Sequence, residues 1–307
     1  MYRSILIPLD GSSISEWAIP SALTIAQRVA AGINLITVEH MMPSGFDDDG
    51  VHNNAQTWQS ALHDPTTYLS GLARQIRHLI PTPVTFEVLS GPETIAHQVV
   101  QYARDSDNDL IVMNTHGRGG FTRSWLGSVA DQMVRHSHLP TLLVKLVGNL
   151  AIDLQVQPTV RSVLIPLDAS DASPTIVDHA LAIGGLEPEY TLLQAVPLIS
   201  AFTPEYAVAA GQISEDVRSA QCSAAQDLLE KVASRIRERN PAVKVRTAVV
   251  NGNAVAYEIL AYANQQSIDL IAMTTHGRGG ALRLMIGSVA DKVMRGSVVP
   301  VLLYRPA

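Results

Sequence analysis

Two stretches of this chain carry the residue types that anion chemistry needs. Residues 115–131 read THGRGGFTRSWLGSVAD and residues 275–291 read THGRGGALRLMIGSVAD, identical at 12 of 17 positions and 160 residues apart. Each opens with glycines that bare the backbone amides. Nine residues separate Gly117 from the pair Gly127-Ser128, and nine separate Gly277 from Gly287-Ser288, where the next helix should begin. Amide groups at a helix start, helped by the positive end of the helix dipole, suit a phosphate. Arg118, Arg123, Arg278 and Arg283 are the nearby cations, and the two serines add hydroxyls.

Other phosphate signatures fail on residue type. A Walker A loop ends in Gly-Lys-Ser/Thr, which neither copy contains, and a dinucleotide fingerprint needs a third glycine where Thr122 and Leu282 stand. His116 and His276 lie in the same loops, but no serine or aspartate accompanies them in triad order, so a structural or phosphate-neighbouring role is favoured over catalysis. The run Asp47-Asp48-Asp49 reads as a solvated loop before it reads as a metal site.

The elements that would position these loops recur with them. SILIPL at 4–9 returns as SVLIPL at 162–167, and Asp10-Gly11-Ser12-Ser13 returns as Asp168-Ala169-Ser170-Asp171, 158 residues on. In the first half, strands are expected at 4–9, 33–38, 83–89, 110–113 and 141–146. Helices are expected at 15–31, with Gly32 as its stop signal, at 65–80, at 92–104 opened by Pro92, and at 127–138. The second half repeats the alternation, with helices at 174–184, 214–239, 253–264 and 287–295, and strands at 190–196, 243–250, 270–274 and 301–304. Strands alternating with helices imply a parallel, doubly wound sheet, because parallel neighbours need a crossover. The domains run 1–147 and 161–307, with 148–160 as linker.

In such a sheet the ligand crevice lies beyond the carboxyl ends of the strands. That places Pro8, Leu9 and Asp10 beside the loop of Gly117, and Pro166, Leu167 and Asp168 beside that of Gly277. Asp10 and Asp168 suit ligand contact and helix capping equally.

Composition narrows the partners. The 307 residues are 47% hydrophobic and 16% charged with a net charge of -6, which gives no electrostatic case for nucleic acid. No apolar run approaches a membrane span, and no signal peptide precedes the first strand, so a cytoplasmic protein is expected. Cys222, the one cysteine, sits in a helical run and reads as inert packing in a reducing compartment.

The glycine spacing, together with Ile-Pro-Leu-Asp on strand one, resembles the universal stress protein family, over nearly the whole chain as two tandem domains. The resemblance implies two doubly wound α/β domains, each a five-stranded, mostly parallel, Rossmann-like sheet of order 3-2-1-4-5. The family pattern is G-x-x-G, nine residues, then G-[ST], associated in nucleotide-binding members with ATP and commonly a divalent ion such as Mg²⁺. Here Asn114 and Thr274 replace the first glycine. Carried over by position, Gly117, Gly127, Ser128, Gly277, Gly287 and Ser288 hold phosphate, with Arg118 and Arg278 beside them and further amides at Val129 and Val289. Asp10 and Asp168, next to Pro8 and Pro166, take the base or ribose, and Val38 and Val196 the adenine side. The expected role is a stress-response protein with ATP, or a related adenine nucleotide, as regulatory ligand. Hydrolysis, if any, is expected to be slow. The alternatives are a nucleotide-free scaffold with relic loops and, third, an ATP-using enzyme. The last strand of each half would be a sheet edge, so the halves are expected to pair as a pseudo-dimer; whether two chains form a homodimer is left open.

Overall fold

The computed structural model describes residues 2–40, 64–115, 127–145, 152–168, 175–197, 207–275 and 286–306. They form two compact units, Met1–Pro158 and Thr159–Ala307.

In the first unit β1 (Ser4–Pro8), β2 (Gly32–His40), β3 (Val84–Gly91), β4 (Leu110–Asn114) and β5 (Thr141–Val144) lie in the order β3-β2-β1-β4-β5. In the second, β6 (Ser162–Pro166), β7 (Glu189–Val196), β8 (Lys244–Asn251), β9 (Leu270–Thr274) and β10 (Val301–Tyr304) give β8-β7-β6-β9-β10, the same order. All these pairings are parallel. The expected doubly wound α/β fold of order 3-2-1-4-5 is therefore present twice. Its central strands are apolar without alternation: Ile5, Leu6, Ile7, Leu110, Ile111 and Val112 are fully buried, as parallel strands covered on both faces must be.

The first unit's helices are α1 (Ser13–Glu16), α2 (Ala18–Val29), α3 (Pro65–Arg77), α4 (Ile95–Asp105) and α5 (Ser128–His136). The second unit's are α6 (Thr175–Gly184), α7 (Ala207–Arg239), α8 (Val255–Gln265) and α9 (Ser288–Gly296).

Several local expectations give way to tertiary geometry. The helix expected over 15–31 is broken at Trp17, and it ends at Ala30, not at Gly32. Ala30 takes the left-handed conformation (φ 56°), with its N–H donating to the Ala26 carbonyl. Gly32 opens β2 instead, where a β-carbon would come within 3.2 Å of the Pro83 carbonyl oxygen. Pro92 lies outside α4; Thr94 is the N-cap, its hydroxyl accepting from the His97 N–H. The long helix α7 begins at Ala207, seven residues before the expected start. Cys222 is half-buried, with its thiol donating to Asn251 Oδ1 at 3.2 Å, so it is not enclosed in packing.

At the amino ends of the strands one carboxylate in each unit ties β1 to β4 or β6 to β9. Asp109 accepts from the Arg3 and Ser4 amides (2.8 and 3.1 Å), and Asp269 from those of Arg161 and Ser162 (2.8 and 3.0 Å). The amides of Asp109 and Asp269 donate back to the Ser4 and Ser162 carbonyls at 3.0 Å. This brace sets the register of the two central strands, and so the relative positions of their carboxyl ends.

Candidate functional site

The β1–β4 and β6–β9 pairings are the places where strand order reverses, which in a doubly wound sheet marks the carboxyl ends of these strands as the ligand end of each unit. Pro8 and Asp10, and Pro166 and Asp168, are half-buried at those ends.

The loop after β1 is a hydrogen-bonded turn. The Leu9 N–H donates to the Ile36 carbonyl (2.8 Å), and the Thr37 hydroxyl donates to the Leu9 carbonyl (2.5 Å). Asp10 Oδ1 accepts from the Ser12 N–H (2.9 Å) and the Ser12 hydroxyl (2.5 Å), and the Asp10 N–H donates to Ser15 Oγ (3.3 Å). Ser12, not Asp10, caps α1, accepting from the Ser15 N–H at 3.2 Å. Asp10 therefore shapes the turn with one carboxylate oxygen. Gly11 has φ 76°, a left-handed bend that glycine holds without strain.

The other wall is the start of α5. Its N-cap is Gly127 (φ −58°, ψ 146°), and among the described residues no side chain caps the helix. The Gly127 N–H donates to the Thr115 carbonyl at 2.8 Å, and its own carbonyl accepts from the Asp131 N–H at 2.9 Å. In the second unit Gly287 (φ −59°, ψ 144°) donates to Thr275 at 2.8 Å and accepts from Asp291 at 2.9 Å. The phosphate-holding role read for the Gly127 and Gly287 amides is thus taken by the protein itself. The amides with no partner inside the helix are those of the first turn: Ser128, Val129 and Ala130, and Ser288, Val289 and Ala290. By contrast, Ser12, Asp64 and Thr94 cap α1, α3 and α4 through their side chains. One turn into α5, Asp131 carries a negative charge, and Arg135 pairs with it at 2.6 Å; Asp291 and Arg295 repeat this at 3.1 Å.

Gly117, Arg118, Gly277, Arg278, His116 and His276 lie outside the described residues, as does the acidic run 47–49. Asn114 and Thr274, which replace the family's first glycine, end β4 and β9 and are buried (6% and 9% exposed), so neither stands exposed in the crevice. Val38 and Val196 are both buried near strand ends, but they are not equivalent. Leu9 bonds to Ile36 and Leu167 to Leu193, so Thr37 corresponds to Gln194 and Val38 to Ala195. Val196 lies one residue further on and faces the opposite side of its sheet. Among the described residues no group of three or more His, Cys, Asp or Glu side chains could hold a metal ion. A cavity of about 230 Å³ between α6 and α7, lined by Val177, Leu181, Val232 and Ile236, involves none of these site residues.

Both halves of the chain match one family model, that of the universal stress protein family, at residues 1–145 and 159–305. The chain belongs to this family. A universal stress protein of Methanocaldococcus jannaschii is 30% identical over 149 residues, covering 47% of this chain and 83% of that one. One from Mycobacterium bovis is 27% identical over 200 residues, covering 65% of this chain and 63% of its relative. Among solved structures, a universal stress protein from Archaeoglobus fulgidus aligns over 99% of this chain and 98% of its own, with TM-score 0.64 and 16% identity, a likeness of fold. Within the family frame, Asp109 and Asp269 are what sequence reading missed. Their signal is present in the repeated DLI that opens β4 and β9, but it reads as strand, not as brace.

Proposed function

We propose that this universal stress protein binds ATP, or a related adenine nucleotide, at the carboxyl ends of its sheets as a regulatory ligand in a cytoplasmic stress response. The observation that carries the reading is the helix start found twice. Among the described residues Gly127 and Gly287 start α5 and α9 without a side-chain cap, so the first-turn amides in each have no partner inside the helix and suit an anion at its end. A polyphosphate satisfies those donors, and the ion pairs Asp131–Arg135 and Asp291–Arg295 remove the nearest like charge from its path. Asp10 and Asp168 stand at the sugar and base end, and Arg118 and Arg278 supply cations. Mg²⁺, if it accompanies the nucleotide, is held chiefly by phosphate oxygens and water, as this ion prefers.

The test has two arms. Purified protein is denatured and the supernatant analysed for released adenine nucleotide; in parallel, thermal unfolding is followed with added ATP and Mg²⁺. Ligand at 100 times its Kd raises stability by roughly 2.7 kcal/mol. Neither release nor a shift at millimolar ATP leaves the second reading, a scaffold with relic loops, which the replacement of the family's first glycine by Asn114 and Thr274 favours.

A further inference from the structure

We propose that the groove between α6 and α7 of the second unit is a ligand site of its own, and that it takes a small amphiphilic monocarboxylate, an acid with one apolar body. Its volume of about 230 Å³ lies below the roughly 300–1,000 Å³ of sites for drug-sized ligands, so it suits a short acid better than a nucleotide.

The floor of the groove is aliphatic. Val177, Val232 and Ile236 are buried, and Leu181 is half-buried beside them. The rim carries charge. Arg239 faces Asp178 at 3.5 Å, with side chains 71% and 73% exposed, so this pair is open to water and to exchange. Arg235 lines the same groove one helical turn earlier on α7, and it has no ion-pair or hydrogen-bond partner among the described residues. Two guanidinium groups against one carboxylate leave a single positive charge, which matches a monoanion. Like charges one turn apart repel, and Asp178 pairs with Arg239, so Arg235 is the cation left for a ligand. A guanidinium takes a carboxylate through two parallel hydrogen bonds, while the aliphatic floor below it takes the apolar body out of water.

The first unit shares the fold and lacks these residues. Residues 72–81 (LARQIRHLIP) and 232–241 (VASRIRERNP) align without a gap, and Arg77 and Arg237 both donate to a carbonyl of the following strand, those of Val84 and Val245. Residues 17–23 (WAIPSAL) align in the same way with 175–181 (TIVDHAL). Trp17 stands where the second unit has Thr175, and Leu79 and Ile80 stand where it has Arg239 and Asn240. Pro20 and Gln75 correspond to Asp178 and Arg235. The first unit thus has larger apolar side chains and no charge at these positions, and Ile80 is buried. In the second unit a short residue replaces the indole, and a charged, exposed rim replaces the apolar one. The fold requires neither change, since the first unit keeps the same helix pair without them.

Octanoate is titrated into the full chain while the methyl resonances of its Val, Leu and Ile side chains are followed by NMR. Saturable shifts should gather at Val177, Leu181, Val232 and Ile236. Acetate, which has no apolar body, and octyltrimethylammonium, which has the opposite charge, should not saturate these methyls at matched concentration. Arg235→Gln, which installs the first unit's residue, should weaken octanoate roughly two- to fivefold, as expected for loss of an exposed ion pair. Thr175→Trp, at an exposed position, should occupy the groove and remove the saturable shifts. The proposal is overturned if octanoate gives no saturable shift, if the shifts spread over the whole protein, or if octyltrimethylammonium acts equally. It is also overturned if Arg235→Gln binds octanoate as the parent chain does.

Discussion

The amide nitrogen of Gly127 lies 2.8 Å from the carbonyl oxygen of Thr115, and Gly287 stands in the same relation to Thr275. This bond closes the base of the glycine loop and fixes where the helix behind it starts. The glycine is not there for its torsion freedom, since φ −58° and ψ 146° are open to any residue. Proline fits that φ but carries its ring Cδ where the N–H stood, pointing at the Thr115 carbonyl oxygen 2.8 Å from the nitrogen, so Gly127→Pro removes the bond and adds a clash. The Thr115 carbonyl, on a fully buried residue, then loses this donor. A loss above roughly 1 kcal/mol in urea unfolding is expected, together with weaker ATP binding in the first half. An unchanged midpoint and unchanged affinity would show the bond to be idle.

The Asp109 and Asp269 carboxylates should matter to stability more than their surface position suggests. Each accepts two main-chain amides that open a central strand, and hydrogen bonds to a charged group contribute about 1.5–3 kcal/mol. Asp109→Ala should lower unfolding stability by roughly that amount, with Asp109→Asn intermediate because one amide oxygen still accepts. Chemical denaturation of the two variants decides it, and an Asn variant as stable as the parent chain would remove the charge from the explanation.

The parts of this protein that could be read from sequence are those set by repetition and by period. The copied glycine stretches, the apolar runs of β1 and β6, and the helix spacing led to two doubly wound units because each signal is local. What escaped reading is decided by partners distant in sequence. Ser12 takes the cap that Asp10 was equally suited to, because the Asp10 carboxylate is drawn into the turn. Val196 resembled Val38 by counting, but the hydrogen bonds of Leu9 and Leu167 slip the comparison by one residue and turn the side chain to the other face. Gly127 looked like a phosphate donor because nothing local shows that Thr115 has already claimed its N–H.

Stability should fall as the solution is acidified, through a histidine in the second unit. His179 packs its ring 4.3 Å from that of Tyr304, and burial lowers its pKa from the ordinary 6.5, against an opposing pull from the Asp178 charge. The unfolded chain therefore binds this proton more readily than the folded one. The resulting stability is fully present above pH 6.5 and is lost as pH falls through the lower folded value. The unfolding midpoint should decline from pH 7 toward pH 5 and the decline should flatten in His179→Gln. Asp64 acts in a separate window. Its hydrogen bonds to Thr67 and Thr66 lower its pKa from 3.8, so its support of α3 is lost only in stronger acid.

The ion pair one turn into α5 gives a test that separates phosphate binding from general stability. Arg135 pairs with Asp131 at 2.6 Å, so Arg135→Ala takes a positive charge away from a first-turn carboxylate close to where the anion is proposed to sit. A charge near a helix start is worth about 0.3–1 kcal/mol, which corresponds to roughly a two- to fivefold loss of ATP affinity. The same carboxylate interacts favourably with the helix dipole, so unliganded stability should change little. Asp131→Asn added to Arg135→Ala should restore the affinity, and both effects should shrink for adenosine, which carries no phosphate. If Arg135→Ala weakens adenosine and ATP equally, the helix start is not where the phosphates lie, and the site must be sought elsewhere in the crevice.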